Sequence, residues 1–242
     1  MPAPKRLRLT LAFLGLAAST AAQAVSISSR FDTGNDGWVI TDIVSAPGTG
    51  LGASWDAANL RITTPDITTW TTFSAPAAYL GNLSAYYGGS FSFDLRDSVK
   101  DANADAAATF GIATGTVPSN TSILFWFGGS PSTTLMTNFA APLSETDAHW
   151  RLLGPADLAL LAFLNQAPTI TSGSAPTSAQ FQSMLANVSA LRISADWKTG
   201  GADDVADLDN VVLASAVPEP GSAALMAAGL AWLGWRRRKA RS

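Results

Sequence analysis

The chain has 242 residues, of which 47% are hydrophobic and 14% charged, with no cysteine and one histidine. That composition supports a packed core and excludes a disulfide scaffold, thiol catalysis, a zinc–thiolate site and iron–sulfur clusters. Residues 25–220 carry seven basic against eighteen acidic groups, a net −11 that argues against nucleic-acid phosphate as a partner.

The first ten residues are basic, with Lys5, Arg6 and Arg8. An uncharged apolar run follows over 9–18, then small and polar residues over 19–24. Ala22 and Ala24 have the small-x-small form of a signal peptidase site, so 1–24 is expected to be a secretory signal cleaved after Ala24. Beyond it, period-two alternation predicts strands. Residues 60–63 are one, and 90–96 place Phe91, Phe93 and Leu95 on a single face. Residues 121–127 include Ile123, Leu124, Phe125, Trp126 and Phe127, apolar on both faces as in a strand inside a sheet. Residues 191–196 alternate again, and 208–213 give a last strand. Pro47-Gly48, Gly88-Gly89, Gly128-Gly129 and Gly200-Gly201 supply turns.

Two segments break the alternation. Residues 155–164 are expected to form a short helix or another strand, with Pro155 suited to a first helical turn. Over 177–188, Phe181, Met184, Leu185 and Val188 recur at helical spacing, and Thr177 with Gln180 has capping-box spacing. The expected fold is therefore all-β: an antiparallel β-sandwich or jelly roll with one or two short helices, forming a single domain over 25–216.

The chain closes on Pro218-Glu219-Pro220, then an uncharged run over 221–235, then Arg236-Arg237-Arg238-Lys239. As a helix the run covers about 22 Å, short for a hydrocarbon core of about 30 Å. It is expected to enter the inner membrane transiently as a transmembrane helix, with the Arg cluster left in the cytoplasm. These three parts, over 217–242, resemble the PEP-CTERM sorting signal of Gram-negative, exopolysaccharide-producing bacteria. The resemblance implies processing by exosortase, an intramembrane Cys protease, near Pro218, Glu219 and Pro220. Signal peptidase and exosortase are thus the expected processing partners, and the cell surface or extracellular matrix the expected destination.

The body carries a second ordered set: Phe31-Asp32, Asp36-Gly37-Trp38, Phe73 to Pro76, Tyr79 to Asn82, Tyr87 to Leu95, His149-Trp150, Met184 to Val188, Leu191-Arg192-Ile193 and Leu208 to Val211. In that order they resemble the laminin B (laminin IV type A) domain across most of residues 30–214. The resemblance implies an extracellular sandwich related to galactose-binding-like jelly rolls, an adhesion or matrix module and not an enzyme.

In sandwiches of this type the first and last strands are neighbours, which would bring Asp32, Asp36 and Asp209 to one sheet edge. Calcium favours such hard oxygen ligands, and Asn35 or Asn210 could add another. Calcium is accordingly the candidate cofactor, against turn hydrogen bonding as the alternative use of these carboxylates. The EF-hand-like start at Asp101, Asn103 and Asp105 fails, because Ala106 stands where glycine is needed and Ile112 where an acid is. Asp203, Asp204 and Asp207 are expected at a solvated tip. His149 lies two residues from Asp147, but no G-x-S-x-G elbow accompanies it. For ligand stacking, Trp55, Trp70 and Trp197 are the candidates, with Trp38, Trp126 and Trp150 assigned to the core. The sequence thus predicts a secreted adhesion or interaction module with extracellular polysaccharide as its candidate ligand. A jelly-roll carbohydrate-active hydrolase and a structural matrix protein without a defined ligand are the competing classes.

Overall fold

Alternating side chains sort themselves between a dry face and a wet one. The computed structural model, which describes residues 24–42, 50–68, 70–102, 104–115, 121–164, 168–198, 204–216 and 229, has that sorting throughout. In chain order the first strands are β1 (Ser26–Ser29), β2 (Val39–Asp42), β3 (Leu51–Gly52), β4 (Ser54–Asp56), β5 (Arg61–Pro65) and β6 (Thr71–Ser74). β7 (Ser90–Asp97), β8 (Phe110–Thr114), β9 (Ser122–Trp126), β10 (Thr137–Pro142) and β11 (Trp150–Leu153) follow. Two helices, α1 (Pro155–Leu164) and α2 (Ser178–Leu185), precede β12 (Ala190–Ser194) and β13 (Val205–Ala214). Residues 24–216 form one compact unit.

The strands make two antiparallel sheets. One runs β10-β7-β13-β5-β4, with β1 also on β13; the other runs β11-β9-β8-β12-β6-β2-β3. The ten-residue β13 organises the first sheet. Val205–Leu208 pair with β5 and Val211–Ala214 pair with β1, while β7 runs along its other side. Between these partners the register shifts from Asp209 to Val212, with Asn210 at φ +49°. This is a β-bulge, and it opens the outer face at Asp209 and Asn210.

Apolar residues from the two inner faces fill the space between the sheets. Phe91, Phe93 and Leu95 of β7 are fully buried, as their alternation requires. Phe110 sits among four rings, with centroids 4.9 Å from Phe91, 5.9 Å from Phe93, 5.6 Å from Trp126 and 5.3 Å from Trp150. The second sheet is apolar outside as well: Ile123, Phe125 and Phe127 pack there with Leu153, Trp70, Leu158 and Ile170. That explains why the 121–127 segment is apolar on both faces.

Pro155–Leu164 is helical. α2 starts at its capping box: the Gln180 amide donates to Thr177 Oγ1 at 3.3 Å, and the Thr177 amide donates to Gln180 Oε1 at 2.8 Å. Phe181, Met184 and Leu185 bury its inner stripe, and Phe181 meets Trp150 edge-on at 5.0 Å. Among the described residues no helix is long and apolar enough to cross a membrane. The apolar run at 221–235 falls outside those residues, Gly229 apart.

The tip expected at Asp204 and Asp207 is different. Asp204 is fully buried and Asp207 is 2% exposed. Arg96 Nε donates to Asp207 Oδ2 at 2.7 Å, and Arg61 Nη2 lies 3.4 Å from the same oxygen. The register pairs Asp207 with Arg96 and Thr63, so β13 begins earlier than its apolar pattern indicates. Cross-strand charge pairing holds the acidic start of this strand in the sheet.

Candidate functional site

The turn after β1 begins with a fully buried Phe31 at φ +54°, a left-handed conformation unusual for a bulky residue. Two side chains hold it. The Phe31 amide donates to Asp36 Oδ2 at 3.2 Å, and the Phe31 carbonyl accepts Trp55 Nε1–H at 2.8 Å. Trp55 and Asp36 therefore both have structural tasks. Trp55 is still 41% exposed, at the edge strand β4. Its indole nitrogen is fixed on the Phe31 carbonyl while the residue as a whole stays partly open to solvent. The same hairpin carries Asp56, whose Oδ2 accepts from Asn59 Nδ2 at 2.7 Å and from Arg61 Nε at 3.3 Å, and Leu60, 44% exposed.

The other two stacking candidates lie deeper. Trp70 is half-buried and stacks on Phe125 at 6.0 Å with a 9° interplanar angle. Trp197 is 3% exposed and belongs to the core, so it presents no face to a ligand. The inward alternation of Ile193 and Ala195 continues through residue 197, which takes the ring inside.

Of the three carboxylates expected together, Asp32 and Asp209 are near enough for their charges to interact. Asp36 is exposed and turned to the Phe31 amide. Partial burial pushes the Asp209 carboxyl up, Asp94 and Asp32 add to this, and the Asn210 amide and Arg61 oppose it. Asp94, opposite Asp209 in register, was not legible as a partner in the sequence. Asn210 Nδ2 donates to Asp94 Oδ2 at 2.8 Å and to Asp209 Oδ2 at 3.3 Å, and Asn138 Nδ2 donates to Asp94 Oδ1 at 2.8 Å. Side-chain amides thus bond these carboxylates. Among the described residues no three His, Asp or Glu side chains are grouped to hold a metal ion.

The single imidazole is exposed. His149 Nδ1 lies 2.6 Å from Asp147 Oδ1, and Asp147 Oδ2 accepts Trp126 Nε1–H at 2.9 Å. Burial works to raise the Asp147 carboxyl, but the His149 amide and the Trp126 indole hold it below its usual range. The dyad anchors the loop before β11 onto β9.

Pro218, Glu219, Pro220 and Ala22 lie outside the described residues, and Ala24 begins them. Residues 216–239 match the PEP-CTERM protein-sorting motif. The tail is a PEP-CTERM sorting motif. Its presence marks an exosortase-sorted protein, secreted or held at the cell surface. The PEP-CTERM chain is similar in structure to the L4b domain of human laminin alpha-2, with a TM-score of 0.58 and 13% identity over 79% of this chain and 98% of that one. At that identity the likeness establishes the fold. No curated protein matches the sequence.

Proposed function

We propose that the sandwich is a non-catalytic interaction module of a Gram-negative envelope or matrix, and that it binds extracellular polysaccharide at the β4–β5 hairpin. The observation that carries this reading is Trp55, a partly exposed ring whose orientation is locked by its bond to the Phe31 carbonyl. A pre-ordered indole face loses little rotamer freedom when it stacks on the apolar side of a sugar ring. The sorting motif supports a secreted or cell-surface destination, where polysaccharide is a reachable ligand.

The test is a glycan array probed with the processed protein, followed by a reducing-sugar assay on every glycan retained. Retention without sugar release is expected, with Trp55→Ala weakening it about tenfold. A melting curve of the variant controls for the lost clamp on Phe31. Undiminished binding by the variant would overturn the reading, as would sugar release, which favours a hydrolase.

A further inference from the structure

An open sheet ends in strands whose outer backbone groups lack a ladder, and folded proteins keep such edges short or covered. Most edges of this sandwich follow that rule. β1, β3 and β4 run only four, two and three residues. β11 is covered: the Leu152 amide donates to the Ser174 carbonyl at 2.8 Å, the Ser174 amide donates back to the Leu152 carbonyl at 3.2 Å, and Arg151 Nε donates to the Ile170 carbonyl at 2.6 Å. β10 is different. It is a six-residue strand at the end of the first sheet, paired with β7 in an unbroken register. Leu143, just beyond it, donates to the Gly89 carbonyl and accepts from the Gly88 amide, each at 2.9 Å. Backbone direction alternates along a strand, so Thr137, Phe139 and Ala141 also turn toward β7, while Asn138, Ala140 and Pro142 turn outward. The Pro142 carbonyl accepts Trp150 Nε1–H at 2.8 Å. The outward amides and carbonyls of Asn138 and Ala140 bond no other backbone group among the described residues, and both residues are exposed.

Charge says what can pair there. The net −11 over residues 25–220 sets a general repulsion between two copies. No charged residue stands between Asp105 and Glu145, however, and β10 lies inside that gap. On the neighbouring β7, the Asp94 carboxylate is met by the side-chain amides of Asn138 and Asn210, each at 2.8 Å. Leu135, in the turn before β10, is 73% exposed. We infer that β10 is the self-association edge of this protein, where the β10 strands of two copies pair antiparallel about a two-fold axis through Phe139. Asn138 of each copy then lies opposite Ala140 of the other and exchanges both backbone hydrogen bonds with it. The small Ala140 leaves room for the Asn138 side chain. The same register sets Leu135 and Met136 beside Pro142 of the second copy, which covers their apolar area. The first sheets of the two copies become one continuous sheet. Pairing uses up this edge on both copies, so association closes at a dimer.

The test is sedimentation velocity on the processed protein from about 1 to about 500 μM, a range suited to a small interface. A reversible monomer–dimer equilibrium is expected, with a dissociation constant of about 100 μM or tighter. Amide exchange over 137–142 should slow as the dimer fills. Ala140→Pro removes an outward N–H without touching the ladder to β7, in the same phase as Pro142, and should weaken dimerisation about tenfold or more. Ala140→Lys should do the same by placing a charge on the edge, and it carries the test if the proline variant melts below the parent. Leu51→Ser, on the second sheet, should dimerise as the parent does. A monomer at every concentration would overturn the pairing and leave the edge to a strand of another protein. Undiminished dimerisation in a folded Ala140 variant would overturn it too, as would a loss confined to Leu51→Ser.

Discussion

Tyr79 shows how one side chain joins distant strands. Its hydroxyl lies 3.2 Å from Ser29 Oγ on β1 and 3.3 Å from the Val211 carbonyl on β13, while its ring meets Trp38 at 5.5 Å. Burial pushes its phenol up to about 12. A phenol ionising later in the folded chain than in the unfolded one contributes stability that is intact below pH 10 and fades as pH climbs through 12. Ultraviolet titration should therefore find one tyrosine near 12 that disappears in Tyr79→Phe. That variant should also lose about 1 kcal/mol, the worth of its hydrogen bonds. An unchanged titration curve would mean that the phenol is not buried as described.

At the scale of elements, α2 is short and depends on its ends. Eight residues are too few for a helix to persist on propensity, so packing by Phe181 and the cap at Thr177 must hold it. Thr177→Ala should cost about 1 kcal/mol, seen as a Tm lower by about 2–4 °C. A loss below a few tenths of a kcal/mol would assign α2's stability to packing alone. β13 makes the opposite point. Its two partners on one side and its bulge at Asn210 come from pairing with β5 and β1, not from any local signal in 205–214. A short run of alternating residues predicts a strand, but not which strands will flank it.

For the whole molecule, export and fold are separate problems solved by separate parts of the chain. The motif over 216–239 marks the protein for exosortase sorting, and the unit over 24–216 has its own core. Replacing Pro218, Glu219 and Pro220 by alanines should leave that core's melting temperature within about 1 °C while blocking tail removal. Intact mass and membrane fractionation in the native host would check this: the variant should keep its C-terminal residues and stay with the membrane. Equal masses for variant and parent would detach the motif from processing.

Local chemistry determined much of this protein from sequence alone. The alternation of Phe91, Phe93 and Leu95 fixed a buried face, Thr177 and Gln180 fixed a helix start, and Pro218 to Lys239 carried the address, because each signal is complete within a few neighbouring residues. Only the tertiary structure decided which aromatics stay wet. Trp55, on an edge strand, remains exposed, while Trp197 continues an inward alternation and is buried. It also decided which acids meet. Asp94 stands beside Asp209, and Asp97 beside Asp204, because strands distant in sequence pair in one register. That register is chosen by the burial of whole faces, a sum over many residues that no short motif contains.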